Sequence, residues 1–157
     1  MTALAVDLLA DAPVQGTARI LAFPGAALPA GSAAAPSLNA TERALLDRLR
    51  WFALKSRLAP KPDLERACFL LAGEANVSLE RFATAFFRGL ADKASREIAL
   101  YRPGTASVSD DEIWLIRLLD ASASGQDSAA AALIAWRVRP EARRWMRFLA
   151  GSLADAL

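Results

Sequence analysis

The chain has no histidine, one cysteine, one tyrosine and three lysines. Without histidine it lacks the usual general base, the usual proton shuttle and the commonest metal ligand. A single Cys68 permits no internal disulfide and no cysteine-based zinc site, and fits a reducing cytoplasm. Charge of one sign is also in short supply. The net charge of +2 is far from the strongly basic footprint of a dedicated nucleic-acid binder. No apolar run approaches the ~20 residues that a membrane helix needs. The opening stretch MTALAVDLLADAP carries no basic residue before its short apolar run, and Asp7 interrupts that run, so no signal peptide is expected. Gly73, Gly89, Gly104, Gly125 and Gly151 stand isolated, which leaves no glycine-rich phosphate loop. No serine sits in a nucleophile-elbow context. These absences lead to the expectation of a non-enzymatic protein with no cofactor and no metal.

What is present suits a single helical domain. A chain of 157 residues can bury a core without staples. Alanine, a helix former, supplies much of the 54% hydrophobic content. The bias of 16 arginines over 3 lysines, with so much alanine, matches the codon usage of a GC-rich bacterial genome. Residues 1–38 are rich in Ala, Pro and Gly. Pro13, Pro24, Pro29 and Pro36 recur too often for a long helix, so this segment reads as a flexible arm ahead of a domain over 39–157. The arm holds one apolar patch, Ile20, Leu21 and Phe23. It either folds back onto the body or docks on a partner, and these three residues are the candidates for partner binding.

Six helices are expected. The first starts at Asn39 or Thr41 and runs to about Leu58, with Asn39 and Glu42 at capping-box spacing. Leu45, Leu46, Leu49, Phe52 and Ala53 form its apolar face, and Arg43, Asp47, Arg48, Arg50, Lys55 and Arg57 cover the rest. Pro60 and Pro62 end it. The second spans Asp63 to about Ala75 and turns Cys68 inward as a small hydrophobe. The third runs from Asn76 to Tyr101, with Ser78 as N-cap and Leu79, Phe82, Ala83, Phe86, Leu90, Ala94 and Ile98 on one side. Pro103 and Gly104 mark the break after it. The fourth opens on the capping box Ser109–Glu112 and is apolar almost all round through Ile113, Trp114, Leu115, Ile116, Leu118 and Leu119. It belongs in the middle of a core or in an oligomer interface. Asp127 caps the fifth, which carries Leu133, Ile134 and Trp136. Pro140 starts the sixth, where Ala142, Trp145, Met146, Leu149, Leu153 and Ala156 form a seam. The fold class is all-α, a compact bundle of about six helices with a flexible N-terminal arm.

Three constellations invite a chemical interpretation. Asp110, Asp111 and Glu112 are consecutive on a helix, point in different directions and converge poorly on one ion. Their place at a helix start is explained by the helix dipole and the capping box. The span 68–87 resembles a DNA-binding helix-turn-helix over about twenty residues, with Ala72, Asn76, Val77 and Ser78 in the turn positions. Asn76 stands where glycine is usual, and left-handed backbone is open to asparagine. The recognition face would hold Leu79, Glu80, Arg81, Ala83, Thr84 and Phe87, of which only Arg81 and Thr84 are good partners for base or phosphate, while Phe87 suits a core better. The third feature is the cluster Arg137, Arg139, Arg143, Arg144 and Arg147 beside Trp145. It suits an acidic partner, phosphate backbone or an anionic membrane surface, or else a solvated helix face with Trp145 turned inward.

Two functional expectations follow. The first is a non-enzymatic protein-interaction or regulatory module of a bacterial cytoplasm, with another protein or a second copy of itself as partner. The fourth helix would serve a homodimer interface. The alternative is a helix-turn-helix regulator binding DNA through Arg81, Thr84, Arg88, Arg143, Arg144 and Arg147.

Overall fold

A computed structural model describes residues 37–60 and 63–157. Ile20, Leu21, Phe23 and the rest of the expected arm lie outside the described residues. Six α-helices follow in order: α1 Ala40–Ser56, α2 Leu64–Gly73, α3 Leu79–Lys93, α4 Asp110–Ala123, α5 Asp127–Arg137 and α6 Arg143–Ala156. A 3₁₀ turn, Pro140–Ala142, leads into α6 with proline in its first positions. No strand forms among the described residues; the one extended pairing is an isolated antiparallel bridge between Ala94 and Val138.

Local signals set most of the helix starts. The Asn39 side chain accepts from the Glu42 amide at 2.9 Å while Glu42 accepts from the Asn39 amide at 2.7 Å. Ser109 and Glu112 repeat the arrangement at the head of α4, and Asp63 caps α2. Each such cap satisfies amides that otherwise lack an intrahelical partner. Two expected caps differ. Ser78 holds the N-cap position of α3 but makes no side-chain bond there. Asp127 is the first residue of α5 rather than its cap, which is Gln126. The Asp127 carboxylate faces Arg147 of α6 at 3.6 Å.

The core gathers one stripe from each helix: Leu46 and Leu49, Leu64 and Cys68, Phe86 and Leu90, Ile134, then Met146, Leu149 and Leu153. Around it α6 packs against α2, α3, α4 and α5, and α3 lies between α1 and α6. α4 is embedded, with Trp114, Leu115, Ile116, Leu118 and Leu119 all buried and the Trp114 indole donating to the Leu133 carbonyl at 2.9 Å. Its apolar surface is therefore consumed inside one chain, which removes the reason for assigning it to a homodimer. Gly89 lets the bundle close at the α2–α3–α6 crossing, because a Cβ there would stand 2.7 Å from Leu64 Cδ1 and 3.0 Å from Met146 Sδ.

The third helix is shorter than its periodicity predicts. It ends at Lys93, and Ala94 turns to extended backbone with ψ of 146°. A distant segment breaks it. The Ser95 amide donates to the Arg137 carbonyl at 2.8 Å and the Arg139 amide to the Lys93 carbonyl at 3.0 Å. Residues 94–109 then run as irregular chain, so Ala94 and Ile98 belong to this segment and not to the α3 stripe.

Candidate functional site: an exposed apolar face with arginine rims

The irregular segment is held by charges that the sequence pattern placed outside. Arg50, expected on the solvated side of α1, is 4% exposed. Its Nε and Nη2 donate to Glu112 at 2.8 and 2.9 Å, Nη1 to the Thr105 carbonyl at 2.7 Å, and Nη2 also to the Ser107 carbonyl at 2.8 Å. Glu112, fully buried, accepts in addition from the amides of Tyr101 at 2.7 Å and Ser109 at 2.9 Å. Burial alone would push the Glu112 carboxyl up; the bonds from Arg50, Ser109 and Tyr101 outweigh it and hold the group below the usual glutamate value. The neighbouring Asp111 points the other way. It accepts from Arg96 at 2.7 Å, from the Ala99 amide at 2.9 Å, and pairs with Arg137 at 3.0 Å. The two carboxylates thus diverge, as consecutive helical residues must, and no group of metal-ligating side chains gathers among the described residues.

This clamp builds one wall of a hollow beside α1. Trp51 and Leu54 lie at i and i+3 on the side of α1 away from the core, and Leu58 follows in the turn after the helix. They are 56%, 43% and 90% exposed. Across from the first two stands Tyr101, its amide fixed by Glu112 and its ring 6.0 Å from the Arg50 guanidinium. A cavity of about 390 Å3 lies between, rimmed by Arg57 and Arg102. Phe69 and Leu70 of α2 are also exposed, and Leu70 lines a second, apolar hollow of about 540 Å3 between α2 and α3.

The residues of the DNA-binding alternative are dispersed. No described residue other than glycine has positive φ, so Asn76 does not adopt the left-handed conformation that the turn would use. On the expected recognition face Ala83 and Phe87 are buried, Glu80 pairs with Lys55 at 2.8 Å, and both terminal nitrogens of Arg81 are engaged by Glu74. Thr84 is half-buried and lines the α2–α3 hollow. Arg88 lies on the opposite flank of α3 and lines a different hollow. In the C-terminal cluster, Arg137 is 7% exposed, bound to Asp111 and stacked 3.9 Å from the Trp136 ring. Arg143 donates to the carbonyls of Val138 and Ala135 at the end of α5. Arg144 and Arg147 alone of the α6 arginines are exposed, and Arg143, Arg144 and Arg147 share a hollow with Asp127. Trp145 is half-buried against Phe69. Cys68 is buried as expected, and burial pushes its thiol up to about 11. No helix among the described residues is long and apolar enough to cross a membrane.

No family model, curated protein or solved structure matches this chain.

Proposed function

We propose that the protein is a non-enzymatic protein-interaction or regulatory module that docks an acidic, apolar-bearing segment of another protein on the Trp51–Leu54–Leu58 face. The observation that supports this reading is the pairing of exposed large apolar side chains with unpaired arginines around one hollow. Arg57 and Arg102 have no ion-pair partner among the described residues, so the rim favours acids while Trp51, Leu54 and Tyr101 favour apolar anchors. Interface hot spots favour this mixture of Trp, Tyr and Arg. Ile20, Leu21 and Phe23 of the N-terminal segment remain candidates for a second contact with the same partner.

Selection from a displayed peptide library tests it. The selected peptides should combine acids with large apolar residues, and their affinity should fall by at least about tenfold for Trp51→Ala and Leu54→Ala, because anchor truncations commonly cost more than ~1.4 kcal/mol. Peptides indifferent to both substitutions would refute the assignment of this face. Failure of selection, with salt-sensitive binding of double-stranded DNA that weakens in Arg144→Ala, Arg147→Ala, would instead favour the DNA-binding alternative.

A further inference from the structure

A separate hollow of about 490 Å3 lies on the neighbouring flank of the molecule, between the end of α1, the C-terminal half of α3 and residues 94–100. Arg57, Arg88, Arg96 and Arg139 line it, against the carboxylates of Asp92 and Glu97. Asp92 is already engaged with Lys93 at 3.0 Å, and Arg96 is turned toward Asp111. Arg57, Arg88 and Arg139 have no ion-pair partner among the described residues. Arg88 Nε is buried and has no hydrogen-bond acceptor, a state it shares with Arg137 Nε, which does not line this hollow. A buried guanidinium N–H without an acceptor is unfavourable, and native proteins leave few of them unsatisfied. An oxyanion seated in the hollow would meet several guanidinium forks at once, and it would supply the Arg88 acceptor once that side chain turns its Nε, which solvent does not reach, into the hollow.

We infer that this hollow is a binding site for a phosphate-type oxyanion of a small molecule. Arginine's planar fork suits bidentate contact with phosphate oxygens, and several unpaired forks favour a multiply charged group over a single carboxylate. The volume falls in the range of small-ligand pockets. Phe87, Leu90, Ile98 and Leu100 give the hollow an apolar wall, which fits an ester carrying a hydrophobic body. Free phosphate and such an ester share the recognised chemistry.

The test is a titration of 15N-arginine-labelled full-length protein with pyrophosphate and, separately, with phenyl phosphate, read on the arginine Nε–Hε resonances. The expected result is a saturable shift of the Arg88 resonance that weakens by at least about tenfold in Arg139→Ala, and a shift of the Arg57 and Arg139 resonances that weakens likewise in Arg88→Lys, which keeps charge and stem but loses the fork. Arg139 is exposed and its side chain holds no structural bond, so its substitution leaves the fold intact. Tighter binding of phenyl phosphate assigns the site to an ester; equal binding assigns it to the free anion. The inference is overturned if neither probe gives a saturable shift, or if shifts spread equally over Arg144 and Arg147 and survive both substitutions. Arg57 and Leu100 line both hollows, but Trp51 and Leu54 line only the other, so Trp51→Ala and Leu54→Ala should leave the anion-induced shift of Arg88 unchanged.

Discussion

Replacing Glu112 by glutamine should be among the most damaging single changes in the protein, although it alters one atom. Each Glu112 oxygen accepts two bonds: Oε1 from Arg50 Nε and the Tyr101 amide, Oε2 from Arg50 Nη2 and the Ser109 amide. Whichever way a glutamine amide is turned, its NH2 faces two donors, so two of the four bonds become donor–donor contacts. The Arg50 charge then keeps only the partly exposed Asp47 carboxylate, at 3.6 Å, as a counter-ion. Removing one partner of a buried pair costs about 3–5 kcal/mol. With a urea slope of ~2 kcal/mol/M, that lowers the unfolding midpoint by roughly 2 M. The matching Arg50→Ala change should not add to it, and a double-mutant cycle should give a coupling of at least about 2 kcal/mol. The pH profile supplies a further check. Because the folded carboxyl titrates below its ordinary value, its contribution is fully present above the usual glutamate pKa of about 4.3 and is lost as the pH falls through the lowered folded value. The Glu112→Gln variant should lack that part of the acid slope. A loss below about 1 kcal/mol, or additive single changes, would refute the assignment of Arg50–Glu112 as the clamp.

Other perturbations follow from single observations. Cys68 should resist a thiol reagent in the native protein at mildly alkaline pH and react fully in denaturant, since its thiol is buried and pushed up to about 11; rapid labelling of the folded protein would contradict the burial. Gly89→Ala should cost about 1 kcal/mol in urea denaturation, the crowding of Leu64 and Met146 outweighing the gain in helix propensity; a clear stabilisation would show that both side chains yield freely. Trp114→Phe removes the indole donor to the Leu133 carbonyl and leaves a void at a buried site, for a loss of about 1–3 kcal/mol in thermal unfolding; an unchanged melting temperature would contradict the burial of this side chain.

Features set by neighbours in sequence were legible, and features set by distant contacts were not. The capping boxes at Asn39 and Ser109 and most of the core stripes of α1, α2, α4 and α6 are local patterns that appear where the spacing places them, although Ala156 of the expected α6 seam is exposed and Trp145 half-buried. The end of α3 is a distant event. Its apolar period continues through Ala94 and Ile98, but the Arg137 carbonyl accepts from Ser95, the Arg139 amide donates to Lys93, and the helix breaks there. Arg50 did carry a signal. It sits four residues after Leu46 and three before Ala53, inside the buried stripe, and a charge in that position demands a partner. Trp51 and Leu54 on α1, with Leu58 in the turn after it, likewise form an apolar set that core positions cannot absorb. The arginines of the 490 Å3 hollow had no such signal, because they come from α1, α3, the irregular segment and the turn before α6.

The acids at the start of α4 connect these levels. A capping role explains Ser109 and the backbone side of Glu112, but it does not explain why Asp111 and Glu112 are buried. Charge at a helix start is stabilised as well in solvent, so burial needs another cause. The divergence of the two carboxylates supplies it. Asp111 holds the Ala99 amide and Arg96, and Glu112 with Arg50 holds residues 101–109, so one helical turn anchors both halves of a segment that has no regular structure of its own. That segment forms a wall of both the Trp51 hollow and the arginine hollow, through Leu100 in each case and Tyr101 or Ile98 beside it. An irregular wall can present side chains that neither α1 nor α3 presents, and the buried charges keep it in one conformation. The desolvation that these ions cost is therefore tied to the surface they shape.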